Sequence, residues 1–322
     1  MLRLIAGLAS FAVLASASLT AQAASAGKAS AAASCDRACL TKLTDTYLSA
    51  LVAHDPSKAP LAGNIRFVEN VTRLKPGEGL WKTASAVPST FRIYIPDTTA
   101  QQVGFIGVME SEGKPVQLGM RLMVEGGKIT EAEHIVVPVR DANNPRLQAP
   151  RQPLVSAVPD AYRDSRNRLL HIAASYYDAL DNNNGSLAPF ADDCVRYENG
   201  MQTVRNPVPR DPSQGFGLAG SLGCEKQLDT NFFQYIDTID NRRVWIADEE
   251  NGLAVGFSHF RHSMKTREFP VYGIPGMEVR KMPDQRPFDM PAMHVFKIWG
   301  GQIHEIEAVG LSAPYNSPTG WE

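Results

Sequence analysis

Two stretches of the chain carry apolar side chains at helical spacing. Leu40, Leu43, Tyr47, Leu48 and Leu51 fall on one stripe, and Leu169, Ile172, Ala173, Tyr176, Tyr177 and Leu180 on another. Each stripe stops at turn chemistry, His54-Asp55-Pro56 in the first and Asn182-Asn183-Asn184-Gly185 in the second. Alternating or β-branched runs follow both. They predict strands over 91–95, 102–110, 116–125 and 128–139, and again over 243–247, 253–262, 292–299 and 302–311. Gly126-Gly127 and Gly300-Gly301 separate the last two strands of each set, as hairpin turns that need positive φ. A helix followed by consecutive strands, rather than alternating with them, predicts an α+β fold with helices packed on a curved antiparallel sheet.

The two sets are copies of one another. Tyr47-Leu48-Ser49-Ala50-Leu51 recurs as Tyr176-Tyr177-Asp178-Ala179-Leu180, and Glu69-Asn70 as Glu198-Asn199, both at an offset of 129 residues. Arg92-Ile93-Tyr94-Ile95-Pro96-Asp97 returns as Arg243-Val244-Trp245-Ile246-Ala247-Asp248, and Val103-Gly104-Phe105 as Val255-Gly256-Phe257. The last strands share Gly-Gly-x-Ile-x-Glu-x-Glu, ending at Glu133 and Glu307. The expected organisation is a first domain over 35–140, a Pro-rich linker over 141–164 and a second domain over 165–322. The second copy is longer by about 45 residues, in insertions within 200–232 and 263–291. The second insertion, rich in Pro and Met, reads equally as a lid over a binding site or as a loop covering the other domain or a subunit interface.

This order of motifs resembles the cone-shaped fold of the nuclear transport factor 2-like and SnoaL-like superfamily. Arg66-Phe67-Val68-Glu69-Asn70, Gly77-Glu78-Gly79-Leu80-Trp81 and the terminal strand are similar to an uncharacterised family of secreted bacterial and fungal proteins. The resemblance implies a curled sheet wrapped over helices around an apolar pocket. It also implies sheet-to-sheet pairing, which a tandem chain can supply internally as a pseudo-dimer; a homodimer is the further partner expectation.

The ends and composition narrow the setting. Arg3, an apolar run from Leu4 to Leu19 and Ala21-Gln22-Ala23 read as a signal peptide over 1–24, with a tether over 25–34. The expected protein is therefore periplasmic or secreted, with no membrane anchor after cleavage. With Arg3 removed, 31 Lys and Arg face 34 Asp and Glu, which offers no electrostatic footprint for nucleic acid. Four cysteines, at 35, 39, 194 and 224, favour disulfides in an exported chain. Cys194–Cys224 would tie the second copy's first strand to its insertion, and a Cys35–Cys39 bridge must meet a narrow geometry; zinc is the competing reading of that spacing.

Candidate chemistry concentrates in the second copy. His259, His262, His294 and His304 stand where the first copy has Gly107, Glu110, Met120 and Thr130. Imidazole suits proton transfer near neutrality. His259 and Arg261 share one face of their strand and Phe260 and His262 the other; either face could line a pocket. Glu131/Glu133 and Glu305/Glu307 occur in both copies, which favours a shared structural task such as pairing with Arg92 and Arg243, although a carboxylate facing an apolar pocket would serve as a general acid or base. Glu69/Glu198 with Asn70/Asn199 favour a turn or cap role. No Gly-x-Gly-x-x-Gly, Walker-type loop, His-Glu-x-x-His or Gly-x-Ser-x-Gly is present, so the expectation includes no cofactor and no metal.

The resulting expectation is an exported, cofactor-independent lyase, dehydratase or isomerase acting on a small hydrophobic, aromatic molecule in the second pocket. His259, His294 and Glu307 are the candidate bases and Arg261 the anion stabiliser, with Tyr177, Trp245, Phe257, His262 and Phe296 as substrate-binding candidates. The competing expectation is a non-catalytic small-molecule-binding or accessory protein using the same pocket.

Overall fold

The computed structural model describes residues 34–207 and 216–322. The expected signal peptide and nearly all of the tether lie outside the described residues. Helix α1 (Arg37–Val52) opens the first half, with Asp36 accepting the Cys39 N–H at 2.8 Å as its N-cap. Strands β1 (Leu61–Glu69) and β2 (Thr72–Leu74) follow, then a short helix α2 (Leu80–Thr83). Strands β3 (Ala84–Ala86), β4 (Arg92–Asp97), β5 (Gln102–Ser111), β6 (Lys114–Glu125) and β7 (Lys128–Pro138) complete the sheet. Short helix α3 (Gln152–Val155) lies in the connection to α4 (Arg166–Asp181), which opens the second half. There, β8 (Phe190–Glu198) and β9 (Met201–Gln202) precede α5 (Cys224–Leu228). Next come β10 (Thr238–Asp248), β11 (Leu253–His262), a small hairpin of β12 (Glu268–Pro270) and β13 (Val279–Lys281), then β14 (Phe288–Trp299), β15 (Gln302–Gly310) and β16 (Ala313–Pro314).

The fold is α+β, with two curved sheets in tandem, each carrying its own helices. The first sheet runs β2-β1-β7-β6-β5-β3 with β4 also on β5, and the second runs β10-β11-β14-β15-β8-β9 with β16 on β14. Neither sheet is purely antiparallel, as the strand pattern had suggested. The first long strand of each half lies parallel to the last, with Phe67 opposite Ala132 and Arg196 opposite Ile306. Local patterning cannot reveal this pairing, because it joins the two ends of each half. Asn70 and Asn199 lock it. Each sits at positive φ, and its side-chain amide bridges the last strand, Asn70 to Val136 and Asn199 to Gly310 at 2.8–3.2 Å. The Gly-Gly hairpins take the positive φ they were expected to need, at 57° and 75° and at 59° and 80°.

The sheets meet face to face around a shared apolar layer that includes Ile93, Ile95, Ile246, Val255, Phe257 and Met293. Charged pairs across this junction are reciprocal. Arg37 at the start of α1 pairs with Asp248, and its twin Arg166 at the start of α4 pairs with Asp97, the twin of Asp248, at 2.9 Å. Such a swap is the mark of a pseudo-two-fold relation between duplicated halves. The connection between the halves buries Leu147, Leu154 and Val158, so it packs as part of the structure. Disulfides join Cys35 to Cys39 and Cys194 to Cys224. Among the described residues, no helix is long and apolar enough to cross a membrane.

Candidate functional site

A cavity of about 210 Å³ opens inside the second half, on the face of the sheet away from the first half. Period-two alternation decides which side chains reach it. Strand β11 sends in Phe260 and His262, and β14 sends in Phe288, Met290, Ala292 and His294. From β8 come Arg196 and Glu198, from α4 Tyr176 and Leu180, and from β15 Ala308. Phe216, Phe233, Tyr235 and Ile236, all in or beside the first insertion, close the remaining wall.

The polar groups within this apolar shell are few and convergent. Arg196 is buried, and its Nε bonds Thr203 Oγ1 at 3.0 Å and pairs with Glu198 at 2.8 Å. Its Nη2 donates to Gln227 Oε1, and Gln227 in turn donates to the Thr203 and Ala219 carbonyls. Gln227 lies one turn along α5 from Cys224, so the Cys194–Cys224 bridge ties that partner to β8, two residues before Arg196. The Tyr176 hydroxyl sits beside the guanidinium. Burial opposes the charge on Arg196, but Tyr176 and Glu198 outweigh it and hold the pKa above its ordinary value.

His294, on β14, is one of two imidazoles on the cavity wall. Its Nδ1 lies 3.2 Å from the Tyr177 hydroxyl, and burial followed by repulsion from Arg196 drives its pKa down to about 3. His262 is held between rings, stacked on Phe288 at 4.1 Å and on Tyr235 at 5.5 Å, and burial takes it down to about 4. Both imidazoles are therefore neutral near pH 7. Burial raises Tyr176 to about 12 and pushes Tyr177 higher still, so both phenols keep their protons.

The first half fills the matching space. Phe67 stands where the second half has Arg196, and His134 stands where it has Ala308. Tyr47, Phe67, Trp81 and His134 pack edge to face there, with ring centroids 4.9–5.7 Å apart. The twin glutamates have parted roles accordingly. Glu69 accepts the Leu80 N–H at the start of α2 and faces His134 Nδ1 at 3.1 Å. The second half has its insertion in place of α2, so Glu198 turns to Arg196 and the cavity.

Of the residues singled out in the sequence, the structure brings His262 and His294 to the cavity. Tyr177 and Phe296 lie just behind it, Tyr177 on His294 and Phe296 stacked on the same ring at 6.0 Å. His259, Arg261, Phe257 and Glu307 do not reach it, because odd positions of β11 and β15 project to the opposite face, and Trp245, on β10, does not line it either. His259 is buried there with Nδ1 unpartnered, and burial with the nearby Arg261 charge lowers its pKa. Arg261 is spent on Asp240 at 3.0 Å, on Asp289 and on the Ser317 carbonyl. Phe257 belongs to the layer between the halves, and Trp245 is exposed beside Arg121 and Arg243.

Glu307 accepts from Arg151 at 2.8 Å, as Glu305 does at 2.7 Å, while Glu133 takes both Arg243 nitrogens at 2.6 Å. Glu133 thus reaches Arg243 in the other half, while Glu305 and Glu307 hold Arg151 of the connection between the halves rather than Arg92 or Arg243. Of the charged residues on the cavity wall, Arg196 was not singled out in the sequence and Glu198 was read only as a turn or cap residue. The signal for Arg196 was present in the repeat: a cation at an inward position whose twin is a phenylalanine. Among the described residues no three His, Cys, Asp or Glu gather as a metal-binding group.

A family model described as a domain of unknown function (DUF8021) matches residues 162–310, the second half of the chain. No functionally curated protein matches. Among solved structures, the chain is similar to a "putative polyketide cyclase" from Silicibacter sp. TM1040, with 13% identity and a TM-score of 0.29, over 45% of this chain and 90% of that one. It is also similar to a "putative polyketide cyclase" from Xanthomonas campestris pv. campestris, with 16% identity and a TM-score of 0.27, over the same shares.

Proposed function

We propose that the second half is a cofactor-independent proton-transfer enzyme, a lyase, dehydratase or isomerase, acting outside the cytoplasm on a small aromatic molecule. The observation that carries this reading is the ion pair of buried Arg196 with half-buried Glu198, facing a largely apolar cavity at positions where the duplicate half is filled with rings. The two disulfides fit an exported chain, and the helix-then-curved-sheet order fits the SnoaL-like superfamily that the sequence resembles.

In this reading Glu198 removes a proton from a substrate carbon, being the carboxylate on the cavity wall. Arg196 and the Tyr176 hydroxyl receive the negative charge that develops on the substrate's oxygen. His294 acts as a neutral imidazole. A pKa of about 3 makes it a poor base, whereas its nitrogen not engaged by Tyr177 is left to orient the substrate. The apolar wall excludes water and strengthens each of these interactions.

The low basicity of His262 and His294 also favours a second reading, a carrier that binds without turnover. One experiment separates the two. Aromatic ketones and hydroxy acids with an acidic C–H are incubated with the protein in deuterium oxide, and label uptake is read by mass spectrometry. The enzyme reading expects exchange in the wild type and a loss of about 100-fold or more in Glu198→Gln, the usual worth of a general base. Ligand binding with no exchange in the wild type would leave only the carrier.

A further inference from the structure

The insertion between β11 and β14 places a second guanidinium at the edge of the cavity. Arg280, on β13, is half-buried. It lies over the Phe232 ring at 3.5 Å and the Tyr235 ring at 4.6 Å, and it donates to the Phe232 carbonyl. No carboxylate among the described residues pairs with it, and its only ionisable neighbour of consequence is the Tyr235 phenol. Tyr235 lines the cavity, and its hydroxyl feels Arg280, Glu198 and Arg196 together, which places both cations at the same end. That end therefore holds two guanidiniums against one carboxylate. The flanking imidazoles are neutral near pH 7 and add nothing to the balance.

Even a partly buried cation without a counter-ion is costly to maintain. The aromatic faces beneath Arg280 offset part of that cost but leave the charge uncancelled. The first half has no equivalent, because β12 and β13 belong to the insertion. The rest of the wall is largely apolar and includes four aromatic rings, Phe216, Phe233, Phe260 and Phe288. At about 210 Å³ the space falls below the roughly 300–1,000 Å³ of sites for drug-sized ligands, which suits a molecule of one or two rings.

We propose that the cavity selects small aromatic monoanions, with the carboxylate or enolate drawn to the end shared by Arg196, Tyr235 and Arg280 and the ring held by the phenylalanines. The proposal rests on the second-half cavity being the functional site, and adds the charge of what enters it.

The test is calorimetric titration of the full mature chain with benzoate, cinnamate and 2-naphthoate, each beside its methyl ester. At least one acid is expected to bind at least tenfold more tightly than its ester. Arg280→Gln should weaken that acid at least tenfold and leave the ester unchanged. Esters that bind as tightly as the acids, or a panel in which no acid binds, would overturn the proposal. Ala308→Phe puts a ring where the first half has His134, and separates the two levels of the argument. If Ala308→Phe abolishes binding while acid and ester bind equally, the anion preference fails and the cavity stands. If the acids still bind to Ala308→Phe, the cavity itself is the wrong site.

Discussion

At the scale of single residues, the same side chain does different work according to the face it occupies. Glu307 illustrates this, because its strand turns it away from the cavity and into the junction between the halves. Burial there, with the nearby Glu305 charge, raises its pKa to about 7 despite Arg151. The folded protein then holds a proton more tightly than the unfolded chain between roughly pH 4.5 and 7, so stability falls as pH rises through that window. His262 and His294 act in the opposite sense. Their lowered pKa values mean that the unfolded chain takes up protons first, so stability also falls as pH drops from about 6.5 towards 4 and 3. Stability is expected to peak near neutrality. Glu307→Gln keeps an acceptor for Arg151, which Glu305 also holds, and removes the alkaline penalty. Thermal melts from pH 4 to pH 8 should show the variant gaining on the wild type only above pH 5, by up to about 3 kcal/mol at pH 8 at 1.36 kcal/mol per pKa unit. Parallel curves over the whole range would contradict this account of the Glu307 site.

At the scale of elements, twin positions show what duplication preserved and what it altered. Gly104 and Gly256 occupy the same place in β5 and β11 for different reasons. A Cβ on Gly104 would come within 2.7 Å of Val255 in the other half, whereas one on Gly256 would come within 2.4 Å of the Tyr177 hydroxyl. Gly256→Ala should therefore cost about 1–3 kcal/mol by overpacking and push Tyr177 off His294. Chemical denaturation measures the first effect and aromatic-acid binding the second; unchanged midpoint and affinity would show that β11 does not position that pair.

The helices, the hairpins and most strands were legible because their apolar spacing is local and occurs twice. The parallel pairing of β1 with β7 and of β8 with β15 was not, because it joins residues about 65 and 110 positions apart in the chain. Strand β14 begins at Phe288, inside the expected second insertion, and β12 and β13 were not foreseen, because proline and methionine there obscure the alternation. The site was half legible. Comparing histidines found His262 and His294, but no pattern within β11 alone could say that His259 and Arg261 face the other half.

At the scale of the whole molecule, the two halves differ in what their sheets enclose, a filled core in the first and a cavity in the second. The first keeps a filled core of Tyr47, Phe67, Trp81 and His134, and offers its sheet as a partner surface. The second gives its outer sheet face to that partnership, through Phe257 and the reciprocal Arg–Asp pairs, and keeps the cavity on its other face. Within it, Arg196 replaces a phenylalanine, Ala308 replaces a histidine, and the two insertions build the outer wall. The most direct test of this difference is a crystal structure of the protein soaked with whichever aromatic acid binds most tightly. The account predicts density against Phe233, Phe260 and Met290, with the acid group at Arg196 and no ligand inside the first half. Density in the core of the first half, or between the two sheets with the second cavity empty, would contradict it.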